Sequence, residues 1–148
     1  MSLEEKLRAD LHQALKSGDK VRRSTIRLVL AEIKNTEIAQ GAPLDDNGVL
    51  GALAKEASRH KESIEAFQKG GRQDLVAIEE AELSVLQGYL PKSMSSEELE
   101  AHVRKVVQEM GASGPRDKSK VMPRLISELK GRADGRAINE VVTKLLGG

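Results

Sequence analysis

Apolar residues recur at steps of three and four along almost the whole 148-residue chain, the spacing that places them on one face of an α-helix. Leu3, Leu7, Leu11 and Leu15 open the series, and Ser2 with Glu5 forms a Ser-x-x-Glu capping box ahead of them. Gly18 suits the position just past this helix, and Asp19 the cap of the next. The second helix is expected over about residues 20–40. Ile26, Val29, Leu30 and Ile33 form one stripe on it, with Val21, Thr25 and Leu28 beside them. A helix apolar on two sides belongs at the centre of a bundle.

Gly41-Ala42-Pro43 interrupts the pattern, and Asp45-Asp46-Asn47-Gly48 starts a third helix. Leu50, Leu53, Ala57, His60, Ile64 and Phe67 make the seam of an antiparallel pair, which Gly70-Gly71 ends. A fourth helix follows over about residues 73–87, with Leu75, Ile78, Val85 and Leu86 expected inward. Pro91 drives Leu90 out of helical geometry and closes this half. Ser95 and Glu98 form a second capping box, before Leu99, Val103, Val106 and Met110. Residues 111–115 read as a loop and about 119–130 as a sixth helix, in which Pro123 is tolerable near the start and otherwise a kink. Gly131 stops that helix and Asp134 caps the last, whose buried side is Ile138, Val141, Val142, Leu145 and Leu146. No segment alternates like a strand. The expectation is an all-α protein, with a four-helix domain over residues 1–91 and a three-helix bundle over 92–148.

Composition supports this reading. A chain of this length buries roughly 70 % of its unfolded surface, and Phe67 and Tyr89 are its only aromatics. It has no cysteine, which removes disulfides, thiolate metal sites and a cysteine nucleophile together. The charged first helix does not resemble a signal peptide. No stretch approaches the run of about 18 apolar residues that spans a bilayer. A cytoplasmic protein is therefore expected.

Charge adds a candidate site. The net charge is +1, yet residues 1–91 hold 13 basic and 15 acidic side chains while 92–148 hold 11 and 8. Seven basic residues stand between Arg116 and Arg136 against three acidic ones, an excess able to attract a polyanion. Lys130, Arg132 and Arg136 flank the start of the last helix, where free amides and the helix dipole favour an anion. Asp134, as the cap, would occupy those amides, so contact is expected through side chains. With so few aromatics, stacking on single-stranded bases is disfavoured, and recognition of a folded nucleic acid by shape and phosphate fits better. The alternative is an ordinary solvated basic face. A DNA-reading helix-turn-helix is a poorer fit, because Asn139, Glu140, Thr143 and Lys144 would face the groove.

Lys20, Arg23, Arg27 and Lys34 form a second basic group within about 60° of helical arc. They read either as a phosphate-tracking ridge or, preferably, as partners for Glu79, Glu80 and Glu82, with Arg27 assigned to Glu82. His12, His60 and His102 lie on three different helices without a Glu-x-x-His or His-Glu-x-x-His motif. No metal site is expected, and His60 reads as a core or boundary histidine. There is no Gly-rich phosphate loop and no Gly-x-Ser-x-Gly elbow, so the residues offer no catalytic constellation.

Four segments resemble a known family: TIRLVLAEIKNTEIAQG (25–41), LAKEASRHKESIEAFQKGGRQDL (53–75), EEAELSVLQGYLPKSMSSEEL (79–99) and KVMPRLISELKGRADGRAINEVV (120–142). In order and spacing they are similar to the GatB/YqeY family, most specifically in the Tyr-Leu-Pro junction and the Lys-Gly-Arg-Ala-Asp-Gly turn. The resemblance implies two helical domains, the second similar to the tail of the B subunit of the glutamine-dependent tRNA amidotransferase, which helps to hold tRNA. It also implies an association, at family level, with carbon–nitrogen ligases that use glutamine as amide donor, although this chain lacks their catalytic parts. Ser119-Lys120-Val121-Met122-Pro123 replaces the family's Gly-Lys-Val-Met-Gly, so close backbone approach at this helix start is not required here.

The expectation is a non-catalytic, monomeric protein without cofactor, metal or membrane. Its partners would be tRNA and an amidotransferase or other protein, with Lys118, Lys120, Arg124, Lys130, Arg132 and Arg136 as nucleic-acid-binding residues. The alternatives are an adaptor that docks a partner helix, and an amide-transfer component of a larger complex.

Overall fold

The computed structural model describes residues 1–147 and is all-α, with no strand among the described residues. Its seven helices are α1 (Leu3–Ser17), α2 (Lys20–Gln40), α3 (Asp46–Lys69), α4 (Gln73–Gln87), α5 (Ser96–Glu109), α6 (Lys118–Glu128) and α7 (Gly135–Leu146). The chain divides into two units, Met1–Leu90 and Pro91–Gly148.

Local chemistry sets the helix starts in the first unit. Ser2, Asp19 and Asp45 accept the amides of Glu5, Arg22 and Gly48 at 3.1, 3.0 and 2.8 Å, each satisfying a donor that the first helical turn leaves free. Gly18 ends α1 with φ 74°, a left-handed conformation open to glycine at no steric cost. Asp46 also accepts the Leu3 amide at 3.0 Å, which ties the starts of α1 and α3 together.

α2 packs against α1, α3 and α4. The core beneath it joins Leu7, Ile26, Val29, Ile33, Val49, Leu53, Ala57 and Leu86. The second stripe expected on α2 is only partly used: Thr25 is buried, but Val21 and Leu28 are exposed. α4 differs from expectation at one position. Val76 is buried, whereas Ile78 is 53 % exposed. Leu75, Val85 and Leu86 lie inward as expected, and Val76, Glu79, Glu82 and Leu83 share the covered face with them, so that face carries two carboxylates.

Tyr89, just past α4, anchors that end of the unit. Its hydroxyl donates to Asp10 at 2.5 Å and accepts from Arg22 at 3.2 Å. The Lys6 ammonium and Arg22 guanidinium lie 5.5 and 5.8 Å from the centre of its ring, within cation–π range.

The second unit has its own core of Leu99, Val103, Val106, Val121, Leu125, Leu129, Ile138, Val142 and Leu146. Ser95 caps α5 through the Glu98 amide at 3.1 Å. Met110 lies past the end of α5 and is exposed, unlike the other apolar residues expected on that helix. A 3₁₀ turn, Pro115–Asp117, leads directly into α6, where a loop was expected. Pro123 stands inside α6 and removes the amide that would otherwise bond to the Ser119 carbonyl.

Candidate nucleic-acid interface

The corner between α6 and α7 is tightly built. Leu129, buried, closes α6, and its carbonyl accepts the amides of Arg132 and Ala133 at 2.9 and 3.1 Å. Between them Gly131 takes φ 80°, a conformation costly for any side chain with a Cβ. Asp134 then caps α7 by accepting the Ala137 amide at 2.8 Å. From outside the turn, the Met94 amide donates to the Arg132 carbonyl at 3.1 Å. This bond brings the Lys92 backbone alongside, so that its carbonyl lies 3.5 Å from Arg132 Nε. Sequence spacing gave no sign of Lys92 here, because the pairing spans 40 residues.

The six basic residues assigned to nucleic-acid binding do not form one patch. Lys118 and Lys120 stand at the start of α6, about 16 Å along its axis from the corner. Lys118 donates to Thr143 Oγ1 at 2.8 Å and is half-buried. Lys120 lies 3.5 Å from Asp117. Arg124, midway, is drawn into a carboxylate network. Its Nε bonds Glu128 at 2.8 Å and its terminal nitrogen bonds Glu109, while His102 approaches Glu128 at 2.8 Å.

The corner itself holds Lys130, Arg132 and Arg136, and there the pairing is loose. Arg132 is 3.9 Å from Glu98, and Arg136 is 3.7 Å from Glu140 with 81 % of its side chain exposed. Lys130 is exposed and has no carboxylate within salt-bridge distance among the described residues. Exposed pairs of this kind contribute about 0–1 kcal/mol, so a phosphate can replace the carboxylate at little cost. Sequence reasoning already singled out Lys130, Arg132 and Arg136 beside the last helix, but it could not see which partners fold back onto Lys118, Lys120 and Arg124.

The charge states follow this division. Hydrogen bonds from Arg124, then His102, hold the Glu128 carboxyl below its ordinary range. The Ser113 amide and the Lys120 charge do the same for Asp117, against some desolvation. Arg104 and Lys144 lower Glu100. These acids stay ionised beside their partners.

The basic ridge of α2 also differs from expectation. Lys20, Arg23, Arg27 and Lys34 make no salt bridge among the described residues. Glu82 pairs with His60 at 2.8 Å, not with Arg27. The physical reason is the packing of α3 against α4, which turns Glu82 toward His60, while Arg27 lies on the exposed side of α2. The ridge is therefore a second uncommitted basic surface.

One group of side chains has metal-ligating chemistry among the described residues. His60 Nε2 and one carboxylate oxygen each of Glu79 and Glu82 lie within 4.8 Å of one another. Burial alone would lower the pKa of the imidazole. The hydrogen bonds to Glu82 and the Glu56 carbonyl, together with the Glu79 charge, outweigh this and raise it above its ordinary value. His60 thus sits at the helix seam as expected, but facing two acids.

Comparison with known proteins is consistent over nearly the whole length. A protein of Lachancea thermotolerans named "Altered inheritance of mitochondria protein 41, mitochondrial" is 38 % identical over 112 residues, covering 74 % of this chain and 60 % of that protein. The protein of the same name from Pyrenophora tritici-repentis is 32 % identical over 145 residues, covering 96 % and 80 %. That of Saccharomyces cerevisiae is 30 % identical over 135 residues, covering 89 % and 70 %. Each of these names carries the word mitochondrial, which contradicts the cytoplasmic placement expected from the sequence. The family described as Yqey-like protein matches residues 4–146. On that match, and on the 32 % identity to the Pyrenophora protein, the chain belongs to the YqeY-like family.

Proposed function

We propose that this chain is a non-catalytic member of its family that binds folded tRNA at the α6–α7 corner, in association with glutamine-dependent tRNA amidation. The observation that carries the reading is Lys130, exposed with no acidic partner among the described residues, in the same turn as Arg132 and Arg136, whose own acids are exposed and loosely paired at 3.9 and 3.7 Å. Three cations on a turn braced by hydrogen bonds suit a phosphate backbone, which binds through charge and position more than through base identity. The link to amidation rests on the family resemblance of the second unit. The chain contributes binding and leaves amide-transfer chemistry to a partner.

The test is a titration of unfractionated tRNA with the full chain and with Arg132→Glu/Arg136→Glu. Loss of about tenfold or more in affinity supports the corner. Unchanged affinity rejects it, and a loss caused instead by Lys20→Glu/Arg27→Glu moves binding to the α2 ridge. Glutamine-dependent amide transfer by the pure chain would refute the non-catalytic assignment.

A second reading, an adaptor that docks a partner helix, is favoured by Val21 and Leu28, which are exposed on one side of α2. Apolar docking of that kind would be nearly insensitive to salt, whereas phosphate binding weakens steeply as salt rises.

A further inference from the structure

His60 is 5 % exposed, on the face of α3 that meets α4. Its Nδ1 lies 2.8 Å from the Glu56 carbonyl oxygen. A carbonyl only accepts, so Nδ1 carries a proton and the other ring nitrogen, Nε2, is the one free to bind something else. Nε2 points at Glu82 at 2.8 Å and Glu79 at 3.6 Å. These two acids are three residues apart on α4, and therefore on one face of it.

Charge in this place does not balance. A proton on Nε2 satisfies one carboxylate and leaves a net charge of about −1 across the two acids and the ring. No nearby cation makes up the difference. Arg59 is committed to Glu56 at 2.8 Å and to Glu32 at 3.8 Å, and Lys55 to Glu32 at 2.8 Å. Glu79 and Glu82 have no lysine or arginine partner among the described residues, and their side chains are only 23 % and 18 % exposed.

We propose that His60, Glu79 and Glu82 form a binding site for a divalent first-row transition ion, with zinc as the best match. With a neutral ring, a dication cancels both carboxylate charges. Ligand bonds of about 2.0–2.1 Å in a tetrahedral site put neighbouring ligand atoms about 3.3 Å apart; the two nitrogen–oxygen separations, 2.8 and 3.6 Å, bracket that edge, and the carboxylate oxygens lie within 4.8 Å of each other. A histidine ligand whose second nitrogen donates to a backbone carbonyl has the orienting contact common in such sites. One imidazole and two carboxylates suit zinc better than magnesium or calcium, which prefer all-oxygen shells. Three protein ligands leave a fourth position for water or an outside donor.

The test is calorimetric titration of the metal-free full chain with Zn²⁺, with Co²⁺ absorption as a report on coordination geometry. The comparison set is wild type, Glu79→Gln, Glu82→Gln and a control, His102→Gln, which alters the other histidine–carboxylate pair. One equivalent should bind to wild type and to the control. Both glutamine variants should lose about tenfold or more in affinity while keeping the far-ultraviolet dichroism of the metal-free protein. Zn²⁺ should also raise the melting temperature of wild type more than that of the variants. Absence of one-equivalent binding, equal affinity in wild type and both glutamine variants, or loss confined to His102→Gln would each overturn the proposal.

Discussion

Tyr89 is the single tyrosine of a chain without tryptophan, so its ionisation can be followed in isolation. Burial, then the hydrogen bond it donates to Asp10, pushes its phenol from 10.0 up to about 12. The phenolate absorbance of the folded chain is expected to rise with a midpoint near 12; a midpoint near 10 contradicts the contact. The sign for stability follows. Between pH 10 and about 12 the unfolded chain gives up this proton while the folded chain keeps it, so stability falls through that window. Tyr89→Phe should flatten the fall. Asp10 behaves oppositely. Its modest burial is outweighed by Tyr89, Lys6 and Arg22, and its carboxyl is held below the ordinary value, so its contribution is present above the unfolded value of 3.8 and is lost as acidity passes the folded one. Arg124 and Lys130 make the second residue-level contrast. Arg124 is held by two acids and Lys130 by none among the described residues, so Lys130→Ala should weaken tRNA binding more than Arg124→Ala, measured by fluorescence anisotropy. The reverse order would place the site along α6. The caps Ser2, Asp19, Asp45, Ser95 and Asp134 were legible because each acts within three residues. The partner of Glu82 was not, because it depends on which faces of α3 and α4 meet.

Among the elements, α7 carries the clearest test. Asp134 has two effects: its oxygen satisfies the Ala137 amide, and its charge opposes a phosphate at the same helix start. Asparagine keeps the first effect and removes the second. Asp134→Asn should leave stability within a few tenths of a kcal/mol and strengthen tRNA binding by about two- to fivefold. Unchanged or weaker binding with unchanged stability would mean that no phosphate lies beside this helix start. Leu125 is fully buried between the helices that hold the corner, and Leu125→Ala should cost about 2–5 kcal/mol in chemical denaturation. Helix boundaries followed from glycine, proline and capping residues, all of them local signals. The covering of Val76 in place of Ile78 on α4 was not readable, since both are apolar and only the packing partner decides which is covered. The 3₁₀ turn at Pro115–Asp117 escaped for a related reason, because three residues carry no periodicity.

At the scale of the whole molecule, a net charge of +1 cannot supply a long-range field that holds a polyanion. The proposed binding then rests on a few local cations, and its salt dependence counts them. Sequence showed where positive charge accumulates, but not that Lys118 and Arg124 are engaged within the chain while Lys130, Arg132 and Arg136 are held loosely or by no acid among the described residues. The most direct measurement is tRNA affinity over a series of salt concentrations, for wild type and for Lys130→Ala/Arg132→Ala/Arg136→Ala. Three phosphate contacts give log affinity against log salt a slope of about −2 to −3 for wild type, falling close to zero in the triple variant. A slope that survives the three substitutions, or a wild-type affinity indifferent to salt, would contradict phosphate binding at this corner.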